Sequence, residues 1–220
     1  MSAQRFAFSA KMVGLYLSIY ALFIFAGKLK ALTSFVLPQQ LRFTMYTLLF
    51  IAGVLLLRHT LQQNVAAIRK HPVRSIFLLI AFYVFNLLLS LVVYFVFQSA
   101  AAGGINDENI FQVMLRFSPW ITLPVLGVMG PIVEEFVYRY ILIGRLSQKV
   151  PVWLCVLLSS VLFGLLHIHS LSDIIHILPY FATGLVLGLL YVASGYNLLL
   201  PIAFHVFNNM NGLIPFVLQY

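Results

Sequence analysis

Apolar runs of around twenty residues, each closed by polar or basic positions, recur along the whole chain. Seven stand out, at about 8–27, 41–57 (closed by Arg58), 75–97, 119–146, 151–168, 174–194 and 197–218. Each has roughly the length that a helix needs to cross the hydrocarbon of a bilayer. The runs are continuous and do not alternate with polar positions, which argues against the strands of a membrane β-barrel. The fourth run is interrupted by Pro124 and by Gly130-Pro131, which leaves room for a short leading helix before a full one. The pattern predicts an all-α, polytopic transmembrane bundle of about seven to eight helices.

The connections carry their own signals. Residues 59–74 are polar and basic, with Arg69, Lys70 and Arg74, while Leu61, Val65 and Ile68 recur at helical spacing. This predicts an interfacial amphipathic helix on the cytoplasmic side. The loop from Ala100 to Arg116 holds Asn106, Asp107, Glu108 and Asn109 and one basic residue, so it is placed outside; the turn with Arg145 and Lys149 is then cytoplasmic. Lys28, Lys30 and Arg42 crowd a connection that this orientation also places outside, so charge alone leaves sidedness open. Arg5 and Lys11 precede the first apolar run as in a signal peptide, but no small-residue cleavage site follows, and a retained first helix is expected. Residues 1–118 are expected to supply N-terminal spans and residues 119–220 the chemistry, within one integrated membrane domain.

Composition narrows the class. The chain is 62% hydrophobic and 8% charged, with a mean hydropathy of +1.02, a balance that suits helices in lipid. The formal net charge of +8 does not signal nucleic-acid binding. The basic residues lie mostly at the ends of apolar runs, where they orient spans and meet anionic headgroups of membrane lipid. Cys155 is the single cysteine, which excludes an internal disulfide and a thiolate metal cluster.

Against this background two adjacent carboxylates, Glu134 and Glu135, sit in the apolar run GPIVEEFVYRYILIG. Only five acidic residues occur in 220, and an ionisable residue inside a span is costly enough to be a functional-site hypothesis. Arg139 follows Glu135 by four residues, the favoured order for an ion pair on one helix face. Glu134 is rotated about 100° from Glu135 and faces a different surface. A structural ion pair accounts for Glu135 and Arg139 and leaves Glu134 unexplained. A buried carboxylate without a dedicated cation is suited to general-base work.

Two further polar patterns lie in other spans. Phe163 precedes His167 by one helical turn near the end of the fifth run and is placed to support its ring. Taken alone, His167 is better read as a hydrogen-bonded helix-end histidine. His205 and Asn209 are four apart in the seventh run and share a face, so an imidazole and an amide can donate to one developing oxyanion. The competing reading is interhelical hydrogen bonding, for which Asn208 and Asn211 are better placed. Depth links the three patterns: Glu134 lies about 20 Å before the turn near Lys149 and His167 about 25 Å after it, at 1.5 Å per residue. An antiparallel pair therefore brings both to one layer, which His205 and Asn209 can also reach.

Glu-Glu-x-x-x-Arg, then Phe-x-x-x-His, then His-x-x-x-Asn, in that order on separate helices, resembles the CPBP family of intramembrane proteases. This family includes the CAAX prenyl endopeptidases and the bacteriocin-processing and immunity-type proteins also called the Abi family. The resemblance covers about residues 119–218. It implies that Glu134 activates the attacking water, that His167 helps to bind and polarise it, and that His205 and Asn209 stabilise the oxyanion. Glu135 and Arg139 would shape the site and Phe163 would support His167. It also implies a glutamate-dependent endopeptidase with no cofactor, acting on a membrane-associated or prenylated CAAX-like peptide or a lipidated protein.

The residues themselves weigh the alternatives. There is no His-Glu-x-x-His and no pair of histidines four apart on one helix, which disfavours zinc, although two His and a Glu from separate helices can also bind it. Cys155 has no base on its own helix face, and Ser159 and Ser160 lack a catalytic aspartate, Asp173 lying in a short loop. A bacteriocin self-immunity protein, acting by binding or proteolysis, is one competitor. A proton-coupled transporter is another, since Glu, His and Arg in spans also form relays; no pseudo-repeat supports it. His169 and His176 are expected at the interface. Tyr138 is either packing or a hydrogen-bond partner of Glu134. Gly184 and Gly188 form a small-x-x-x-small pattern that predicts a close helix contact.

Overall fold

The computed structural model describes residues 10–28, 38–97, 105–168 and 171–218. Arg5, Lys30 and His169 lie outside these residues. Among the described residues the fold is entirely helical, with eight helices and no strand: α1 (Ala10–Lys28), α2 (Gln39–Lys70), α3 (Pro72–Val96), α4 (Ile105–Arg116), α5 (Pro119–Gln148), α6 (Val152–His167), α7 (Ile177–Ala193) and α8 (Leu199–Leu218). Five of them, α1, α2, α3, α5 and a segment beginning at Ile174 that contains α7, are long and apolar enough to cross a membrane. The shorter α6 is also apolar.

Two expectations about the connections are corrected. Residues 59–70 do not form a separate helix. They continue α2, whose 32 residues run about 48 Å against a hydrocarbon thickness of about 30 Å. The break comes at His71, where Pro72 opens α3; proline is favoured at a first helical turn because its missing N–H has no partner there anyway. The loop expected at 100–116 contains α4, so the eighth helix arises there and not from a split fourth run.

That fourth run stays continuous as α5. Pro124 is absorbed by widening the coil and Pro131 opens an α-helical turn: the backbone is π-helical over Leu123–Met129 and Phe136–Arg145, on either side of that turn at Gly130–Glu135. The Gly130 N–H reaches back to Val125 O and the Leu146 N–H to Ile141 O. π-Turns are rare and frequent at functional sites, and here they bracket the two glutamates.

α5 is the centre of the bundle. Val133, Phe136, Ile143, Phe163, Tyr191 and Leu198 form its fully enclosed surroundings. Close approach depends on glycines at three points. A Cβ on Gly184 would lie 3.2 Å from Phe163 Cδ1 and from Ser160 Cα, and one on Gly188 would lie 3.1 Å from Ile143 Cδ1 and 3.2 Å from Val156 Cγ1. The expected close contact is therefore α7 against α5 and α6. A Cβ on Gly53 would fall into the ring of Phe136, which seats α2 against α5.

The far end of α2 is tied to the α7–α8 turn. Asn64 Oδ1 accepts from the Leu198 N–H at 2.6 Å, Asn197 Nδ2 donates to Asn64 O at 3.0 Å, and Arg74 donates to Ala193 O at 3.2 Å. The turn needs this support, because Gly195 and Tyr196 both adopt left-handed backbone angles, and a bulky residue is disfavoured there. The Tyr196 ring packs edge-on against Tyr191.

Candidate functional site

The α-helical turn of α5 presents both carboxylates to the interior. Glu135 is fully buried and Glu134 nearly so. Glu135 Oε2 lies 3.2 Å from Arg139 Nε, the pairing that the four-residue spacing implies. The contact is ionic and not an aligned hydrogen bond, since neither atom has a hydrogen-bond partner among the described residues. Arg139 is itself fully buried. It donates through Nη2 to Gly184 O at 3.1 Å and lies over the Phe163 ring, 4.8 Å from its centroid. A charge this deep costs several kcal/mol unless paired and hydrogen-bonded, and the glycine that permits close packing also supplies the acceptor.

His205, from α8, joins the two carboxylates. Its Nδ1 donates to Glu135 Oε1 at 2.8 Å, and its Nε2 faces Glu134 Oε2 at 3.8 Å. Glu135 thus serves two groups, Arg139 on one oxygen and His205 on the other. That role was not visible in the sequence, because the partner lies 70 residues away. The arrangement resembles the way a buried carboxylate orients an imidazole in Ser-His-Asp sites.

Phe163 and His167 complete the layer from α6. The Phe163 ring lies 5.5 Å from that of His205 and 4.8 Å from that of His167, so one aromatic ring touches both histidines. His167 Nδ1 is 2.8 Å from Phe163 O. A carbonyl only accepts, so Nδ1 carries the proton and the neutral ring has its lone pair on Nε2. Tyr180 of α7 stacks on His167 at 4.2 Å and 12°; nothing in the spacing marked it, since the contact joins two helices. Asn209 is one turn beyond His205, but its Nδ2 donates to Leu126 O in the π-helical part of α5, at 3.2 Å.

The remaining candidates fall into structural places. Tyr138 packs edge-on between Tyr20 and Phe163. Ser159 Oγ donates to Tyr138 O at 2.8 Å and Ser160 Oγ to Val156 O at 2.7 Å, so both hydroxyls are engaged with backbone. Cys155 is buried. His176 ends a short 3-10 segment ahead of α7. Among the described residues no three His, Cys, Asp or Glu side chains are grouped as metal ligands would be. A cavity of about 350 Å³ opens among α2, α5 and α8, lined by Phe50, Trp120, Leu123, Pro124, Met129 and Met210 among others.

Comparison with known proteins places this site in context. Residues 116–211 match the family described as type II CAAX prenyl endopeptidase Rce1-like. All seven residues of the three motifs lie within that stretch. The chain is 32% identical over 108 residues to the "Putative membrane peptidase YdiL" of Bacillus subtilis (strain 168), covering 48% of this chain and 42% of that protein. It is 30% identical over 148 residues to an uncharacterized protein of Mycoplasma capricolum subsp. capricolum, covering 65% of this chain and 43% of that protein. The chain therefore spans less than half the length of these curated relatives. No solved structure matches it. With five candidate spans, these matches identify an integral, multi-pass membrane protein.

Proposed function

We infer, from the match of residues 116–211 to the type II CAAX prenyl endopeptidase Rce1-like family and the likeness to a putative membrane peptidase, that the protein belongs to the CPBP group and is a CAAX-type membrane endopeptidase that is glutamate-dependent. The observation that carries this reading is the single imidazole of His205 set between two carboxylates, Glu135 at Nδ1 and Glu134 at Nε2. Glu135, with Arg139 behind it, accounts for the orientation of the ring. Glu134 has no such structural duty.

In the proposed reaction Glu134 accepts a proton from water while the oxygen attacks the scissile carbonyl carbon. The carbonyl oxygen becomes an oxyanion, stabilised by donors from α8. Because Nδ1 of His205 already donates to Glu135, an oxyanion contact from Nε2 requires a proton on that nitrogen as well. Asn209 donates from one turn further along, using the amide hydrogen not given to Leu126 O. Collapse of the intermediate breaks the C–N bond, and Glu134 returns its proton to the departing amine. His167 binds and polarises the water through Nε2. Phe163 keeps His167 and His205 in one layer.

The substrate class proposed is a membrane-associated peptide, a prenylated CAAX-like segment among them. The apolar cavity beside α5 and α8 is of a kind to take the aliphatic part of such a molecule. The expectation of no cofactor enters as part of this proposal.

The test is purification in detergent and incubation with a panel of membrane-tethered peptides. Wild type is expected to cut at least one. Glu134→Gln should lose about a hundred- to ten-thousand-fold in kcat, the range of a general base, and His167→Ala and His205→Ala should also abolish cleavage. Cleavage should survive a chelator. Undiminished cleavage by Glu134→Gln sinks the general-base assignment. Toxin resistance that survives all three substitutions, with no peptide cut, establishes immunity by binding instead.

A further inference from the structure

The helix that carries His167 ends on a residue from the other end of the chain. α6 stops at His167, and Ile168 is already extended, with φ −91° and ψ 144°. The carbonyls of such a last turn have no N–H within the helix to receive. Lys28, the final residue of α1, answers them: its Nζ donates to Leu166 O at 2.7 Å and also to Ile168 O. These two carbonyls flank His167 on either side. An ammonium suits the place, since it complements the negative end of the helix dipole and brings three donors on one flexible stem. Lys28 lies outside the family match, which begins at residue 116.

The backbone that Lys28 holds also sets the His167 ring. The ring leans on its own helix through Nδ1 to Phe163 O, one turn back, and is sandwiched by Tyr180. If the last turn of α6 frays, the Phe163 carbonyl and the His167 ring no longer keep their register, and Nε2 loses its aim. Two further contacts hold α1 against the bundle: Tyr20 against Tyr138 of α5, and Phe23 against Tyr46 of α2.

We propose that Lys28 is a positioning residue for His167, clamping the C-terminus of α6 from α1 so that the imidazole keeps its Nδ1–H tautomer and its direction. The proposal rests on the reading of His167 as part of the hydrolytic site.

The experiment uses the full chain in detergent with ¹⁵N-labelled histidine, comparing wild type, Lys28→Met, Lys28→Arg and His167→Ala. The ring signals of His167 are those missing from His167→Ala. Lys28→Met is expected to lower kcat by about a hundredfold, as a small misplacement does, with KM nearly unchanged, and to erase the Nδ1–H signature of His167. Lys28→Arg, which keeps the charge and the donors, should recover most of both. Should Lys28→Met not fold, Lys28→Gln carries the same comparison, with the charge removed and two amide N–H donors on a shorter stem. An unchanged kcat and an unchanged His167 signature in Lys28→Met, alongside an inactive His167→Ala, overturn the proposal and leave the protease reading intact. A large loss of kcat with an unaltered signature also overturns it, because the defect then lies elsewhere than in the imidazole. Normal cleavage by His167→Ala overturns the catalytic reading of His167, and the signature alone then decides whether Lys28 holds the ring.

Discussion

α3 and α5 invert the rule that holds for soluble proteins. α3 is the more apolar, with mean hydropathy 2.7 over its best window, yet only 11% of that window is buried; for α5 the values are 1.4 and 56%. In lipid the solvent is itself apolar, so the most hydrophobic helix gains nothing by moving inward, and the helix bearing charge must. Leu88, Phe95 and Val96 of α3 face away from the bundle. Glu135 and Arg139 of α5 are its most enclosed charged groups. The lesson is that in this chain polarity, and not apolarity, marks the interior.

The comparison is broken most sharply by removing one member of the buried pair. Arg139→Met roughly keeps the volume but leaves Glu135 Oε2 without its cation, with only His205 on the other oxygen, and should cost about 3–5 kcal/mol of stability in a detergent unfolding titration. The double change Glu135→Gln, Arg139→Met should recover a large part of that loss; if it is no better than the single change, the pair is not the source of the cost. Gly184→Val places carbon atoms against Phe163 and the backbone of Ser160 and should cost about 1–3 kcal/mol, measured the same way. Stability equal to wild type would mean that α7 can withdraw from α6 without penalty. Leu88→Ala, on the lipid-facing side of α3, should change stability by less than about 0.5 kcal/mol; a larger loss would show that α3 is covered by a partner.

Several parts of this account were legible along the chain. The spacing of Glu135 and Arg139 announced their ion pair, because four residues on one helix are a local geometry. Gly184 and Gly188 announced a close contact for the same reason, although not which helices would meet. The partners of His205 and Asn209 were not legible. Glu135 Oε1 and Leu126 O come from α5, 70 and 83 positions earlier, and no periodicity reports a distance of that kind. Asn64 was missed altogether: one polar residue in a polar stretch carries no signal until the Leu198 N–H is seen to need it. The same holds for Tyr180, which looked like one more aromatic in an apolar run.

The boundaries failed where a local rule met a tertiary one. Pro124 correctly marked irregular backbone, but the surrounding helices hold α5 together and the irregularity becomes π-helical coil in place of a break, while Pro131 sits within the α-helical turn. The polar stretch 59–70 stayed helical because helical propensity continues up to Pro72, and Asn64 anchors its buried face.

By itself the sequence determined that this is a membrane bundle and that Glu134 is a charge without a local excuse. Those conclusions follow from apolar length, composition and spacing within single helices, all of which act over a few residues. Only the tertiary structure decided that Glu135 holds His205, that Asn209 leans on Leu126, and that Lys28 closes the helix bearing His167. Those choices depend on which helix faces which, and that is settled by close packing at Gly53, Gly184 and Gly188, where the absence of a side chain lets distant segments touch.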